Sequence, residues 1–416
     1  MRRDDAPLRD PGERSARPPI RTESQIRIVL QRDFRWIVLL LVVVVAFLVF
    51  RWQVVEVFHI PSPSMEPMLV GHPESGDKVL VNKLAFRVTE PRRWQVVVFE
   101  RPGDAEPYVK RLVGLPGERV HIDDGDVLVD DEVPDRSDAV LEEMLVPVAA
   151  TPASAVDMQA FWETDGPVDV DAGRSVTLDG GRGAVASMRS RRDVTDDPLD
   201  SGAAPPGEAS SPVNDLVISL DAEFEPLAPG GGESIAGTLR VAVHRGSAEA
   251  VWLEVEPRGA MRLRRGDALL DAFEPSQTGF VPGTPFSISL STVDRRLRLL
   301  ANGVELVRRR EKGPDAESAH KRAGFHRRNN CVTLTATQTK VRLSNFLLER
   351  DIYYSADGEE GVARPVRLGP DEYYFLGDNS RVSKDSRFWM HPIRRESLVG
   401  AAFMIVWPPG RIRMLD

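Results

Sequence analysis

Ile60-Pro61-Ser62-Pro63-Ser64-Met65-Glu66-Pro67 follows a few residues after a long apolar run. Two serines stand two apart, among prolines. In an extended segment that spacing turns both hydroxyls to one face. One then suits a nucleophile and the other can support an oxyanion. A serine hydroxyl attacks poorly until a base takes its proton. Lys110, in Tyr108-Val109-Lys110-Arg111, is the candidate base. A free lysine titrates near pH 10.4, so it must be lowered by about 3 units, about 4 kcal/mol, and burial can do this. Val109, Leu112 and Val113 offer an apolar setting. A late turn, Gly377-Asp378-Asn379-Ser380-Arg381-Val382-Ser383-Lys384-Asp385-Ser386-Arg387, completes the set.

The chain has 416 residues, enough for two or three domains, and 42% of them are hydrophobic. A net charge of −9 argues against nucleic acid as the main partner. The one cysteine, Cys331, excludes an intrachain disulfide framework and reads as a small core hydrophobe. No His/Asp/Glu cluster shows metal-ligand spacing, so no metal and no cofactor is expected. Trp36 to Phe50 is unbroken apolar sequence, extended by Phe34 and Trp52 and flanked by Arg35 and Arg51. We read 34–52 as an uncleaved transmembrane signal anchor, because no small-x-small site follows it. Nine arginines between Arg2 and Arg35 place the arm 1–33 in the cytoplasm and the rest outside the membrane.

Beyond the anchor the pattern is mostly β. Strands are expected at Lys78–Lys83, Trp94–Phe99, Val109–Val113, Arg119–Ile122 and Asp126–Val129, the last two joined by an Asp124-Gly125 hairpin turn. The texture changes after residue 133. Residues 187–212 read as a mobile loop. Short alternating segments follow: Leu216–Phe224, Thr238–His244, Ala250–Val255, Phe286–Ser291, Leu297–Ala301 and Val341–Leu348. They suggest a β-sandwich resembling a concanavalin- or laminin-G-like jelly-roll. Val399–Trp407 looks like a closing strand. The expected organisation is a first catalytic part at 53–132, an inserted β-sandwich at 133–368 and a second catalytic part at 369–416.

Three blocks in order, Ile60 to Leu69, Tyr108 to Gly117 and Gly377 to Arg387, resemble bacterial type I signal peptidase, the leader peptidase of the Ser/Lys class. A weaker match lies in Gly76 to Lys83. The resemblance implies a membrane-bound serine endopeptidase at the bacterial cytoplasmic membrane, with its catalytic domain on the outer, periplasmic side. It would remove signal peptides from exported preproteins after small residues, at Ala-x-Ala sites, through an acyl-enzyme. It implies Ser64 as nucleophile, Lys110 as base, and an oxyanion hole from the Ser62 hydroxyl and the Ser64 N–H. Ser383 would hydrogen-bond and orient Lys110. Asp385 and Arg387, with Gly377, would hold the turn that presents Ser383. Ile60, Met65 and Leu69 would line the substrate pocket, and Phe58 and Trp389 would meet the membrane. Secretory preproteins, the lipid bilayer and the protein export machinery are the implied partners.

The chain departs from the family pattern at several positions. Pro63 replaces a small residue, Met68 a Thr, Glu118 an Asp, and Gln95 an Asp. Ser380 stands where an Arg is usual, with Arg381 one step on. Three other readings compete. Relatives with a histidine base would draw on His59, His72 or His121. A membrane-anchored binding protein would use the sandwich and keep an inert peptidase fold. A self-cleaving regulator would need a DNA-binding helical domain, which the sequence does not offer.

Overall fold

The chain is seen as a computed structural model describing residues 36–48, 53–152, 154–171, 175–181, 183–196, 210–225, 237–244, 249–310 and 331–415. It divides into two units, 1–56 and 57–416. In the first unit residues 36–48 are helical, with exposed apolar side chains. At 1.5 Å per residue they run about 20 Å, against about 30 Å of bilayer hydrocarbon. No helix among the described residues is long and apolar enough to cross a membrane. The span expected at 34–52 is therefore not seen as one. Residues 34–35 and 49–52, and the arm 1–33, lie outside the described residues.

The second unit is built almost wholly of antiparallel strands. The strands before the sandwich are β1 (Val55–His59), which begins at the end of the first unit, β2 (Lys78–Asn82), β3 (Val96–Phe99), β4 (Tyr108–Gly114), β5 (Arg119–Asp123) and β6 (Asp126–Val129). β1 to β4 join strands from the far end of the chain in one sheet. Its order is β1, β2, Leu398–Trp407, β3, β4, Glu372–Leu376 and Ile393–Arg394, and Arg413–Met414 pairs with Leu398–Trp407. β3 reads Val-Val-Val-Phe and is buried at every position, as an inner strand covered on both faces must be. β5 and β6 form a hairpin to which Val366–Arg367 adds. Its turn residues Asp124 and Gly125 both have positive φ, +52° and +91°, the geometry that favours Asp-Gly in a two-residue hairpin.

Between these halves lie two further sheets of eight and seven strands, which share one apolar core. Leu216–Phe224 shows why. Leu216, Ile218, Leu220, Ala222 and Phe224 alternate inward, while Ser219, Asp221 and Glu223 stay at least partly accessible. The Asn302-Gly303 turn, with φ of +47° and +75°, closes the Arg296–Ala301/Val304–Arg310 hairpin. Cys331 is buried and free. Residues 187–190, expected in a loop, belong instead to the strand Val185–Ser190. Ala186, Met188 and Ser190 fill its buried face, an alternation masked by intervening polar residues. Residues 197–209 of the expected loop lie outside the described residues. Met261–Arg265 and Ala268–Phe273 are strands that were not expected; the first buries Met261 and Leu263, and the second has no fully buried residue.

Candidate active site

Ser64 lies in a single 3₁₀ turn, Pro63–Met65. Ser62 before it is extended, with φ −126° and ψ 150°. The extended run expected here bends at Pro63. A proline suits the first helical position, where its fixed φ fits and no N–H is required. The two hydroxyls still meet, with their Oγ atoms 3.2 Å apart. Ser62 is exposed and Ser64 is buried.

The chain behind the serines closes on itself. The N–H of Ile60 donates to the Asp77 carbonyl (2.9 Å), and that of His72 to the Ile60 carbonyl (3.1 Å). A Cβ on Gly71 would stand 1.7 Å from the Ser62 carbonyl oxygen, so only glycine fits. Asp77 is buried; its Oδ2 accepts from the Val70 N–H (2.8 Å) and from Arg411 Nη2 (3.0 Å). Arg411 and Arg413 both donate to the Met68 carbonyl, at 3.0 and 3.2 Å.

β4 delivers Lys110, whose Nζ donates to Ser64 Oγ at 2.5 Å. Its side chain is 4% exposed. Burial pulls its pKa down to about 8, against the opposing pull of Asp385 and Asp378, with Arg387 adding to the depression. Desolvation wins because no carboxylate bonds the ammonium directly.

The strand Glu372–Leu376 runs into the late turn. The Asn379 N–H donates to the Ser64 carbonyl at 3.1 Å. A Cβ on Gly377 would lie 2.2 Å from Ser383 Oγ and 2.5 Å from the Ser64 carbonyl oxygen. Asp385 Oδ2 accepts from the Gly377 N–H (3.0 Å) and from Arg387 Nη2 (2.9 Å), and its Oδ1 from Arg387 Nε (2.8 Å). Both side chains are fully buried. Ser383 differs from expectation. It is buried beside Gly377, but its Oγ has no hydrogen-bond partner and does not bond Lys110. The ammonium is committed to Ser64 instead.

Ile60, Met65 and Leu69 are packed in a core cluster with Val79, Val81, Val96 and Val98. At 3% exposure or less they form a covered floor, not an open pocket wall. Phe58 is half-buried against the same cluster. Trp389, expected at the membrane, is buried against Phe99 and Tyr108, with Arg101 over its ring. Its neighbours Phe388 and Met390 are the exposed ones. None of the three histidines bonds Ser64: His59 meets the Pro73 carbonyl, His72 the Glu74 and Ser75 N–H groups, and His121 the Gly361 carbonyl.

Other groups at the site were not legible. Arg111, beside the base, is fully buried and grips Asp378 with two bonds of 2.8 and 2.7 Å, while its Nη2 also meets Met68 Sδ. Ser380 and Ser355 both accept from Arg387 Nη1. Away from the site, Asp126, Asp215 and Asp294 converge despite their distance in sequence. Their charge is met by Arg295 at Asp126 and Arg136 at Asp294.

The site thus sets a buried lysine, carried on a β-strand, against a serine hydroxyl. The model of the signal peptidase family, peptidase S26, matches residues 33–180 and 301–407, more than half of the chain, and the chain belongs to that family. A probable signal peptidase I-2 of Synechocystis is 35% identical over 21% of this chain and 41% of its own length. The signal peptidase I of Pseudomonas aeruginosa is 42% identical over 18% of this chain and 29% of its own. The chain thus spans less than half the length of these relatives. Among solved structures, a legume lectin-like domain from Entamoeba histolytica aligns with 50% of this chain and 98% of its own, at 8% identity and a TM-score of 0.31, too low to argue from.

Proposed function

We propose that the protein is a signal peptidase I that cleaves exported preproteins through a Ser64/Lys110 dyad. The observation that carries this reading is the 2.5 Å contact between Lys110 Nζ and Ser64 Oγ, with the lysine lowered to about 8 by burial. Neutral Lys110 takes the Ser64 proton as Oγ attacks the scissile carbonyl carbon. The oxyanion that forms is met by the Ser62 hydroxyl and the Ser64 N–H. The amide C–N bond breaks as Lys110 passes the proton to the leaving amine. Water, deprotonated by Lys110, then hydrolyses the ester and frees Ser64.

Gly377, Asp385 and Arg387 act as the frame of the turn that backs Ser64. Ser383, buried beside Gly377, would orient Lys110 only once its side chain takes another rotamer. Ile60, Met65 and Leu69 form the apolar base under the subsites that accept the small residues of an Ala-x-Ala site. The apolar run within 34–52 tethers the chain to the cytoplasmic membrane, with the arm 1–33 inside and the catalytic parts 53–132 and 369–416 outside, where preproteins emerge from the export machinery. The sandwich at 133–368 is an insertion between them.

The experiment is cleavage of a preprotein with an Ala-x-Ala site by purified full-length protein in detergent. Ser64→Ala and Lys110→Ala are each expected to reduce turnover to background. Activity retained by either variant would remove that residue from the mechanism.

A further inference from the structure

The turn that backs Ser64 leans on the sandwich. Arg381 stands in the middle of Gly377–Arg387, one position after the place where the family usually carries its arginine. Its Nη1 faces Asp196 Oδ1 at 3.7 Å, and the two side chains are only 7% and 5% exposed. Asp196 is fixed within the sandwich. Its N–H donates to the Ser211 carbonyl (3.0 Å), and its Oδ1 accepts from the Ser211 N–H (2.8 Å). Its carbonyl accepts from Arg350 Nη2 (3.2 Å), at the end of the strand Lys340–Arg350.

A second tie leaves the sandwich at the same place. Ser355 lies five residues beyond that strand; its N–H donates to Ser380 Oγ (2.7 Å), and its Oγ accepts from Arg387 Nη1 (2.7 Å). Both ties end on the turn whose Asn379 N–H holds the Ser64 carbonyl. Opposite charges this close attract far more strongly away from water than in it.

We propose that Asp196 and Arg381 are a positioning pair through which the inserted sandwich fixes the catalytic turn against Ser64. The insertion is then part of the active-site scaffold and not a tethered module. The inference rests on the peptidase reading above, and its test separates the two.

The full-length protein carries Asp196→Asn, Arg381→Lys or the double swap Asp196→Arg/Arg381→Asp. Amide exchange over residues 377–387, which needs no substrate, is expected to accelerate in Asp196→Asn while exchange in β3 stays unchanged. On an Ala-x-Ala preprotein kcat should fall about 10- to 100-fold with KM unchanged, the loss expected of a slightly misplaced reacting group. Arg381→Lys should fall between Asp196→Asn and the unmodified protein, and the swap should recover part of kcat. It also serves as the informative variant should Asp196→Asn fail to fold. Exchange and kcat both unchanged in Asp196→Asn, in a protein that cleaves, would overturn the pair and leave the peptidase reading standing. A turn that loosens in a protein that cleaves nothing would uphold the tie and sink the peptidase reading.

Discussion

Lys110 is under two opposed demands. A charged lysine in a site 4% exposed is costly, yet a neutral one is what the proposed reaction uses. With its pKa lowered from 10.5 to about 8, the cost of keeping it charged at neutral pH is about 3 kcal/mol. The sign is fixed by linkage. Between about pH 8 and 10.5 the unfolded chain holds a proton on this lysine that the folded chain has released, so stability rises with pH across that window. Lys110→Met should therefore flatten that rise and stabilise the protein at pH 7, by up to about 3 kcal/mol in denaturant unfolding, while turnover is lost. Gly377→Ala makes the opposite demand. Its new Cβ would sit 2.5 Å from the Ser64 carbonyl oxygen, which is backbone and cannot swing aside. Turnover should fall at least about tenfold, and restoring glycine should restore it.

The element that presents the nucleophile is the loop from Ile60 to Asp77, and its lock comes from the other end of the chain. Asp77 is 1% exposed and has Arg411 as its counter-charge. Arg411→Ala leaves that carboxylate with the Val70 N–H and should cost about 1–3 kcal/mol, read as a lowered urea midpoint. Turnover should drop with it, since Arg411 also holds the Met68 carbonyl. Here the limits of the sequence are physical. The Ser-x-Ser spacing, Lys110 and the Gly377 turn were picked out by three blocks that resemble one family, and the fold brings Lys110 Nζ to Ser64 Oγ. Asp77 with Arg411, and Arg111 with Asp378, were not, because a pair hundreds of residues apart has no signature until the sheet register brings it together. Ser383 was read by resemblance, and the rotamer of one hydroxyl is beyond any sequence pattern.

At the scale of the whole molecule, charge gathers where the β5–β6 hairpin and the segment after it meet the sandwich loop at Asp294–Arg295. Arg136 bonds Asp294 Oδ2 through Nε at 2.8 Å and Asp351 Oδ1 through Nη1 at 2.9 Å. Arg295 adds contacts to Asp123 and Asp126 on the β5–β6 hairpin. Arg136→Met would strand two carboxylates at this junction and should cost about 3–5 kcal/mol in unfolding. The strands of the sandwich with plain alternation, such as Leu216–Phe224, were legible to the residue. Met261–Arg265 was not, since only Met261 and Leu263 carry its apolar face, too short a run to stand out among arginines.

The central claim is that a buried, neutral Lys110 activates Ser64. It is tested most directly by the pH dependence of kcat/KM for an Ala-x-Ala preprotein, which reports the base of the free enzyme. The expected profile rises through a midpoint near pH 8, as Lys110 loses its proton, and falls about tenfold for each pH unit below it. A rate unchanged from alkaline pH down to about pH 5 would contradict a lysine base.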